Sequence, residues 1–245
     1  MTILQTIREK KPLIHHITNW VTIYDCAQAT RAIGALPVMA HAEEEVEEMT
    51  NLASALVLNI GTLTIELINS MIKAAKKANA KKIPVILDAV GCGATKLRTE
   101  STLRILQNVR VDILKGNVGE IGIIAGAQGE VRGVESMGVA GNIVELAKNL
   151  ANRYNNIVVV TGKVDIITDG KTIKKCTAGH AMMSKVVGTG CMAASVLGCF
   201  VSVATDYLEA AETAMNFYGQ AGEKAAATTK RPMEFKINLI DNLAE

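Results

Sequence analysis

Six short segments of this sequence are apolar at almost every position. They are PLIHHI at Pro12 to Ile17, PVMA at Pro37 to Ala40, ALVLNI at Ala55 to Ile60, PVILDAV at Pro84 to Val90, VDILKG at Val111 to Gly116 and IVVVT at Ile157 to Thr161. No other feature limits the fold so strongly. A strand with one wet face alternates apolar and polar residues, so a strand without alternation has to be covered on both faces. The cover is written between the runs, where Thr64 to Lys82, Thr99 to Asn108 and Gly138 to Asn155 carry the spacing of amphipathic helices. Strands alternating with helices make an α/β chain with a parallel sheet. Two further segments depart from this pattern. Asp165 to Cys176 reads as a hairpin, turning at Thr168-Asp169-Gly170-Lys171 because Asp-Gly supplies positive φ values. Met183 to Val187 reads as strand-like, and from Gly190 to the end the pattern is helical.

Composition narrows the class. With 245 residues, 49% of them hydrophobic, and a formal charge of +2, the chain can bury one large core, so residues 1–245 are expected to form a single domain. There is no repeat, low-complexity stretch or linker. Only 3% of residues are aromatic and there is no basic stripe, which argues against a nucleic-acid partner. The longest apolar stretch, CMAASVLGCFVSVA from Cys191, is shorter than the ~20 residues a bilayer span needs, so no membrane role is expected. The five cysteines, Cys26, Cys92, Cys176, Cys191 and Cys199, show no CxxC spacing. They fit reduced thiols, and MTILQTIREKKP lacks the apolar core of a secretory signal, so a cytoplasmic location is expected.

In an open parallel sheet, ligands bind beyond the carboxyl ends of the strands. Those ends hold HHITN after the first run, MAH after the second, NIGT after the third, DAVGCGAT within the fourth, KGNVGE after the fifth and TGK after the sixth. Gly188-Thr189-Gly190-Cys191 opens the apolar helix, and its amides would make an anion site suited to phosphate oxygens. A cysteine at a helix start is expected to have its thiol pKa lowered from about 8.5, which makes Cys191 a candidate base or nucleophile. The plain alternative is a small buried hydrophobe. The same segment reads GxGxxA, but no acidic strand end follows it, as a dinucleotide fingerprint would require.

Asp88 and Glu120 follow consecutive runs and would reach one sheet edge, where two carboxylates suit Mg²⁺. Taken singly, each is equally readable as a helix cap or a first-turn acid. Lys115 could set its charge on a nucleotide phosphate or snorkel at the surface. His15 and His16 point to opposite faces of one strand and read as structural. Glu43 to Glu45 with Glu47 and Glu48 read as the wet start of a helix. Most methionines fit core filling, but Met39 follows a strand at the functional edge.

Together HHITNWV, GALPVMAHA, LDAVGCGAT, LKGNVGEI, VVVTGKVDIITDG and VVGTGCMAA resemble the hydroxyethylthiazole kinase family, in order, from His15 to Ala194. The resemblance implies a ribokinase-like three-layer sandwich that moves the γ-phosphate of ATP to the hydroxyl of 4-methyl-5-(2-hydroxyethyl)thiazole in thiamine salvage. It implies that Asn19, Met39 and Gly188 meet the thiazole and that Lys115 and Thr161 meet ATP. By the same resemblance Thr189 and Gly190 join the anion hole, Asp88 and Glu120 organise Mg²⁺, and Cys191 stands where related kinases have an aspartate base. It also implies a homotrimer with sites between subunits. Tyr24, Asp25 and Gln28 depart from the asparagines common in that helix, and Lys115 stands where arginine is common. Two other readings stand beside the kinase: a hydrolase using Cys191 as nucleophile, and a sensor that binds thiazole or nucleotide without turnover.

Overall fold

The computed structural model describes residues 1–126 and 143–245. Its centre is an eight-stranded sheet in the order β2-β1-β3-β4-β5-β6-β7-β8. The strands are β1 (Leu13–Ile17), β2 (Leu36–Val38), β3 (Ala55–Asn59), β4 (Val85–Asp88), β5 (Ile113–Asn117), β6 (Ile157–Thr161), β7 (Asp165–Thr168) and β8 (Ile173–Cys176). The first six run parallel, and β7 and β8 continue antiparallel. In register, Asn59 pairs with Asp88, Asp88 with Lys115 and Asn117 with Thr161, so the polar strand ends form a row on one edge.

The absence of alternation has the expected cause. Along β3, Val57 enters one core while Leu56 and Leu58 enter the other, and β6 divides Val159 from Val158 and Val160 in the same way. Helices cover both faces. On one side lie α3 (Val46–Leu52), α4 (Ile65–Lys81), α5 (Lys96–Asn108), α6 (Val118–Ile124) and α7 (Ile143–Tyr154). On the other lie α1 (Ile3–Lys10), α2 (Ile23–Ile33), α8 (Thr189–Val201), α9 (Tyr207–Thr228) and α10 (Pro232–Asn242). This is the three-layer α/β sandwich that the sequence predicts.

Local chemistry sets the helix bounds. The Thr64 hydroxyl caps α4 by accepting from the Leu67 N–H at 3.1 Å, and Leu67, Ile68, Met71, Ala74, Ala75 and Ala78 then bury a single face. Burying a Leu, Ile or Met side chain contributes roughly 1.5–3 kcal/mol, which outweighs the lysines on the wet face. α8 is different. Nearly all of its residues are buried, and it lies so close to the sheet that a Cβ on Gly198 would stand 2.6 Å from Val57 Cγ2.

Several expectations need adjusting. α5 starts at Lys96 rather than Thr99, because the Thr95 hydroxyl caps it through the Arg98 N–H. Of the helix expected over Gly138 to Asn155, residues 138–142 lie outside the described residues, and Ile143–Tyr154 is helical. The Asp169-Gly170 turn is a four-residue loop, Asp169 to Thr172, with positive φ only at Gly170. Asp169 Oδ1 accepts the N–H groups of Lys171 and Thr172, which supplies the turn's hydrogen bonds from a side chain. Met183 to Val187 is not a strand: Ala181–Lys185 forms a 3₁₀ turn capped by His180, whose Nδ1 accepts the Met182 N–H. The sheet already ends at β8, and the segment packs on α9 instead, where Gly222 leaves room for the Met183 side chain.

Candidate active site

The strand ends and the start of α8 enclose a cleft of about 390 Å³, lined by residues that include Asn19, Asp88, Lys115, Glu120, Thr161 and Gly188 to Cys191. One opening therefore gathers residues from five strand ends or the loops that follow them, together with the start of a buried helix.

Asp88 ends β4 fully buried. Its Oδ1 accepts from Lys115 Nζ at 2.9 Å and its Oδ2 from Asn59 Nδ2 at 2.8 Å. Burial pushes the Asp88 carboxyl up against the opposing pull of Lys115. Burial also works against the Lys115 charge, but Asp88 and then Glu120 outweigh it and hold the ammonium above its ordinary value. Lys115 is thus the firmly charged member, and it stands under the anion loop: a Cβ on Gly190 would be 3.8 Å from its Nζ. It is no snorkelling surface lysine.

Glu120 meets both of its expected descriptions. It is the third residue of α6, in a capping box with Asn117: Asn117 Oδ1 accepts the Glu120 N–H at 2.9 Å, and Glu120 Oε2 accepts the Asn117 N–H at 2.7 Å. Its Oε1 takes the Gly91 N–H at 2.7 Å, and the carboxylate lines the cleft. Burial, then Asp88, raises its pKa.

The Gly188 turn has φ 102°, the left-handed region that favours glycine, and a side chain there would stand 3.1 Å from Asp25 Oδ2 and from Thr22 Cγ2. The Thr189 hydroxyl donates back to the Met183 carbonyl at 2.7 Å, which ties the turn to the preceding 3₁₀ segment. The Tyr218 hydroxyl of α9 donates to the Thr189 carbonyl at 2.8 Å from behind.

For Cys191 the expected direction of the pKa shift is wrong. Its thiol is pushed up, first by burial and then by the Asp88 carboxylate, with Thr22, Lys115 and Asn59 opposing. Desolvation and a neighbouring anion outweigh the helix dipole. The sulfur accepts a hydrogen bond from Asn19 Nδ2 at 3.4 Å.

The remaining expected residues divide. Asn19 lines the cleft and folds back on itself, its Oδ1 accepting the N–H groups of Val21 and Thr22 at 3.0 Å each. Thr161 lines the cleft where β6 ends. Met39 lies just past β2, half-buried and outside the lining. His15 and His16 do face opposite ways: His15 Nδ1 meets Thr50 Oγ1 at 2.9 Å, and His16 Nε2 meets Ser195 Oγ at 3.1 Å. Neither lines the cleft, and burial lowers both pKa values, that of His16 to about 3. Asn59 was assigned no role from the sequence, yet its Oδ1 accepts from Asn19 Nδ2 at 2.9 Å while its amide donates to Asp88, joining the Cys191 side of the site to the carboxylate side. A lone asparagine ending an apolar strand was the available signal.

No histidine among the cleft-lining residues stands beside the Cys191 thiol, which leaves a thiol hydrolase without its base. What remains is a glycine turn at a helix start, a buried lysine and two acids.

The hydroxyethylthiazole kinase family profile matches residues 4–245. A hydroxyethylthiazole kinase from Methanosarcina mazei is 56% identical over 240 residues, covering 98% of this chain and 92% of that protein. The structure of the hydroxyethylthiazole kinase protein from Pyrococcus horikoshii OT3 superposes with a TM-score of 0.90 at 44% identity, covering 99% and 91% of the two chains. A ribokinase-like superfamily protein from Enterococcus faecalis V583 has a TM-score of 0.69 at 13% identity over 94% and 86%, a likeness of fold alone. With the family profile matching residues 4–245 and such relatives matching nearly the whole chain, this protein belongs to the hydroxyethylthiazole kinase family.

Proposed function

We propose that this enzyme transfers the γ-phosphate of ATP to the hydroxyl of 4-methyl-5-(2-hydroxyethyl)thiazole, giving the thiazole phosphate used in thiamine salvage. The observation that carries this is the 56% identity to a hydroxyethylthiazole kinase over 98% of the chain. The cleft agrees with it in chemistry. Phosphoryl transfer asks a protein for positioning and charge neutralisation far more than for covalent chemistry. The amides of Gly188 to Gly190 would hold the oxygens of the moving phosphoryl group, and Lys115 would add its charge from beneath them. Losing one such donor costs about 10²–10³-fold in turnover.

Asp88 and Glu120 fit a divalent cation. Their four carboxylate oxygens each accept one protein hydrogen bond and keep a lone pair. That suits Mg²⁺, which takes one or two carboxylates and completes its shell with water and phosphate oxygens. When bound, the cation would neutralise charge between the nucleotide's outer phosphates.

Cys191 is a thiol at neutral pH in this setting, so its part is to orient the substrate hydroxyl beside Asn19 rather than to wait as a thiolate. Thr161 would meet the nucleotide at the end of β6. A homotrimer with shared sites is supported by exposed apolar residues in the cleft lining, Val21 and Val187, which are 67 and 69% exposed. In such an assembly Met39, outside its own cleft, could serve a neighbour's.

The direct test mixes the protein with Mg²⁺, ATP and hydroxyethylthiazole and looks for thiazole phosphate and ADP. Thiazole binding without product would instead identify a sensor. Light scattering checks the trimer.

A further inference from the structure

Asp25 stands in the first turn of α2, beside the Gly188 turn and outside the cleft lining. The side chain of a residue at Gly188 would begin 3.1 Å from Asp25 Oδ2, so the carboxylate, itself outside the cleft lining, lies against the turn whose amides would form the anion hole. A negative charge there opposes any anion bound at the turn. It does not stand alone, because Lys236 reaches over from α10 and donates from Nζ to Asp25 Oδ2 at 2.7 Å, with the two side chains only 18% and 13% exposed. Lys236 lies outside the cleft lining and touches nothing that reacts.

We propose that Lys236 is a positioning residue for phosphoryl transfer: it neutralises Asp25 beside the Gly188 turn and so keeps the cradle attractive to phosphate. The proposal deepens the kinase function and rests on Gly188 to Gly190 being the phosphate site. It differs in sign from a mechanical role. If the pair only fastens α10 to α2, removing either member loosens the turn, and removing both is no better. If the pair sets the field, removing Lys236 alone is harmful because it strands a carboxylate, and removing that carboxylate as well undoes the harm.

The experiment uses wild type, Lys236→Met, Asp25→Asn and the double variant, each checked by thermal melting. ATP affinity is read by calorimetry with Mg²⁺ and without thiazole, and kcat and KM for ATP are read with hydroxyethylthiazole. Lys236→Met is expected to weaken ATP binding and lower kcat/KM about tenfold, as a partly buried like charge should. The double variant is expected to return to within about threefold of wild type, which is the sign of coupling between contacting charges. Asp25→Asn alone should bind ATP at least as tightly as wild type. A folded Lys236→Met with unchanged affinity, a double variant as weak as Lys236→Met, or weaker binding by Asp25→Asn would each overturn the proposal. If Lys236→Met does not fold, the Asp25→Asn and double variants still decide the sign. If wild type binds ATP but makes no thiazole phosphate, the substrate assignment fails while the affinity series still tests the charge pair.

Discussion

Lys115 donates to Asp88 Oδ1 across 2.9 Å with the two side chains only 4% and 1% exposed, so the cation beneath the anion loop is also the counter-charge of the deepest carboxylate in the cleft. In the proposed function one contact would serve folding and ligand binding together. Lys115→Met strands the Asp88 charge, and a buried ion that loses its partner costs about 3–5 kcal/mol. Urea unfolding is expected to read a loss of that size, with part of it recovered in Lys115→Met combined with Asp88→Asn. A loss below about 1 kcal/mol would put the pair in the class of surface bridges and contradict its burial.

Cys191 carries the second prediction. Because burial and Asp88 hold its proton on, the pH–rate profile of wild type should show no limb near pH 8.5 that disappears in Cys191→Ala. The alanine variant is expected to turn over more slowly with nearly unchanged ATP affinity, and by less than the 10²–10⁴-fold typical of a lost general base. A limb near pH 8.5 that vanished with the thiol would restore the thiolate role expected from the helix start.

Acid should weaken the fold through His16. Its pKa falls from 6.5 to about 3 in the buried site, so below pH 6.5 the unfolded chain takes up a proton that the folded chain refuses. The stability is present above pH 6.5 and is lost as pH falls toward about 3. Melting temperatures across that window should drop in wild type and drop less steeply in His16→Gln. Equal slopes would show that other groups govern acid unfolding.

Gly198 offers a test in which stability and chemistry separate. A methyl group there would meet Val57 Cγ2 at 2.6 Å, and overpacking of this kind costs about 1–3 kcal/mol. Gly198→Ala should therefore melt at a lower temperature yet keep its turnover per folded molecule, because the clash lies in the core and not in the cleft. Turnover falling in step with stability at permissive temperature would mean that α8 shifts as a body.

The sheet was legible because burial on both faces leaves an unbroken apolar signature, and all six predicted parallel strands are present. The first helix was not. α1 is held by a capping box between Thr2 and Gln5, and a helix of eight residues leaves little periodic signal. The 3₁₀ turn at Ala181–Lys185 was hidden for another reason: its apolar residues face α9 and the cleft, and nothing local says that no strand is free to pair with them. Asp88, Glu120, Lys115, Asn19 and Gly188 to Cys191 could be named from strand ends and glycines, and all line the cleft. Asn59 was missed because its importance lies in two partners, Asn19 and Asp88, distant in sequence. The upward Cys191 shift was hidden for the same reason, since its burial, and then the Asp88 carboxylate from another strand, come from parts of the chain distant in sequence.

The row of polar strand ends has a kinetic corollary. Asn19, Asp88, Lys115 and Thr161 reach the cleft only after their strands have been zipped side by side, and the α8 start is supplied by the chain's last third. A nascent or proteolytically nicked polypeptide that stops short of α8 has no half-built catalyst to offer, so activity during refolding should emerge in a single late phase, after most of the helical signal has already returned.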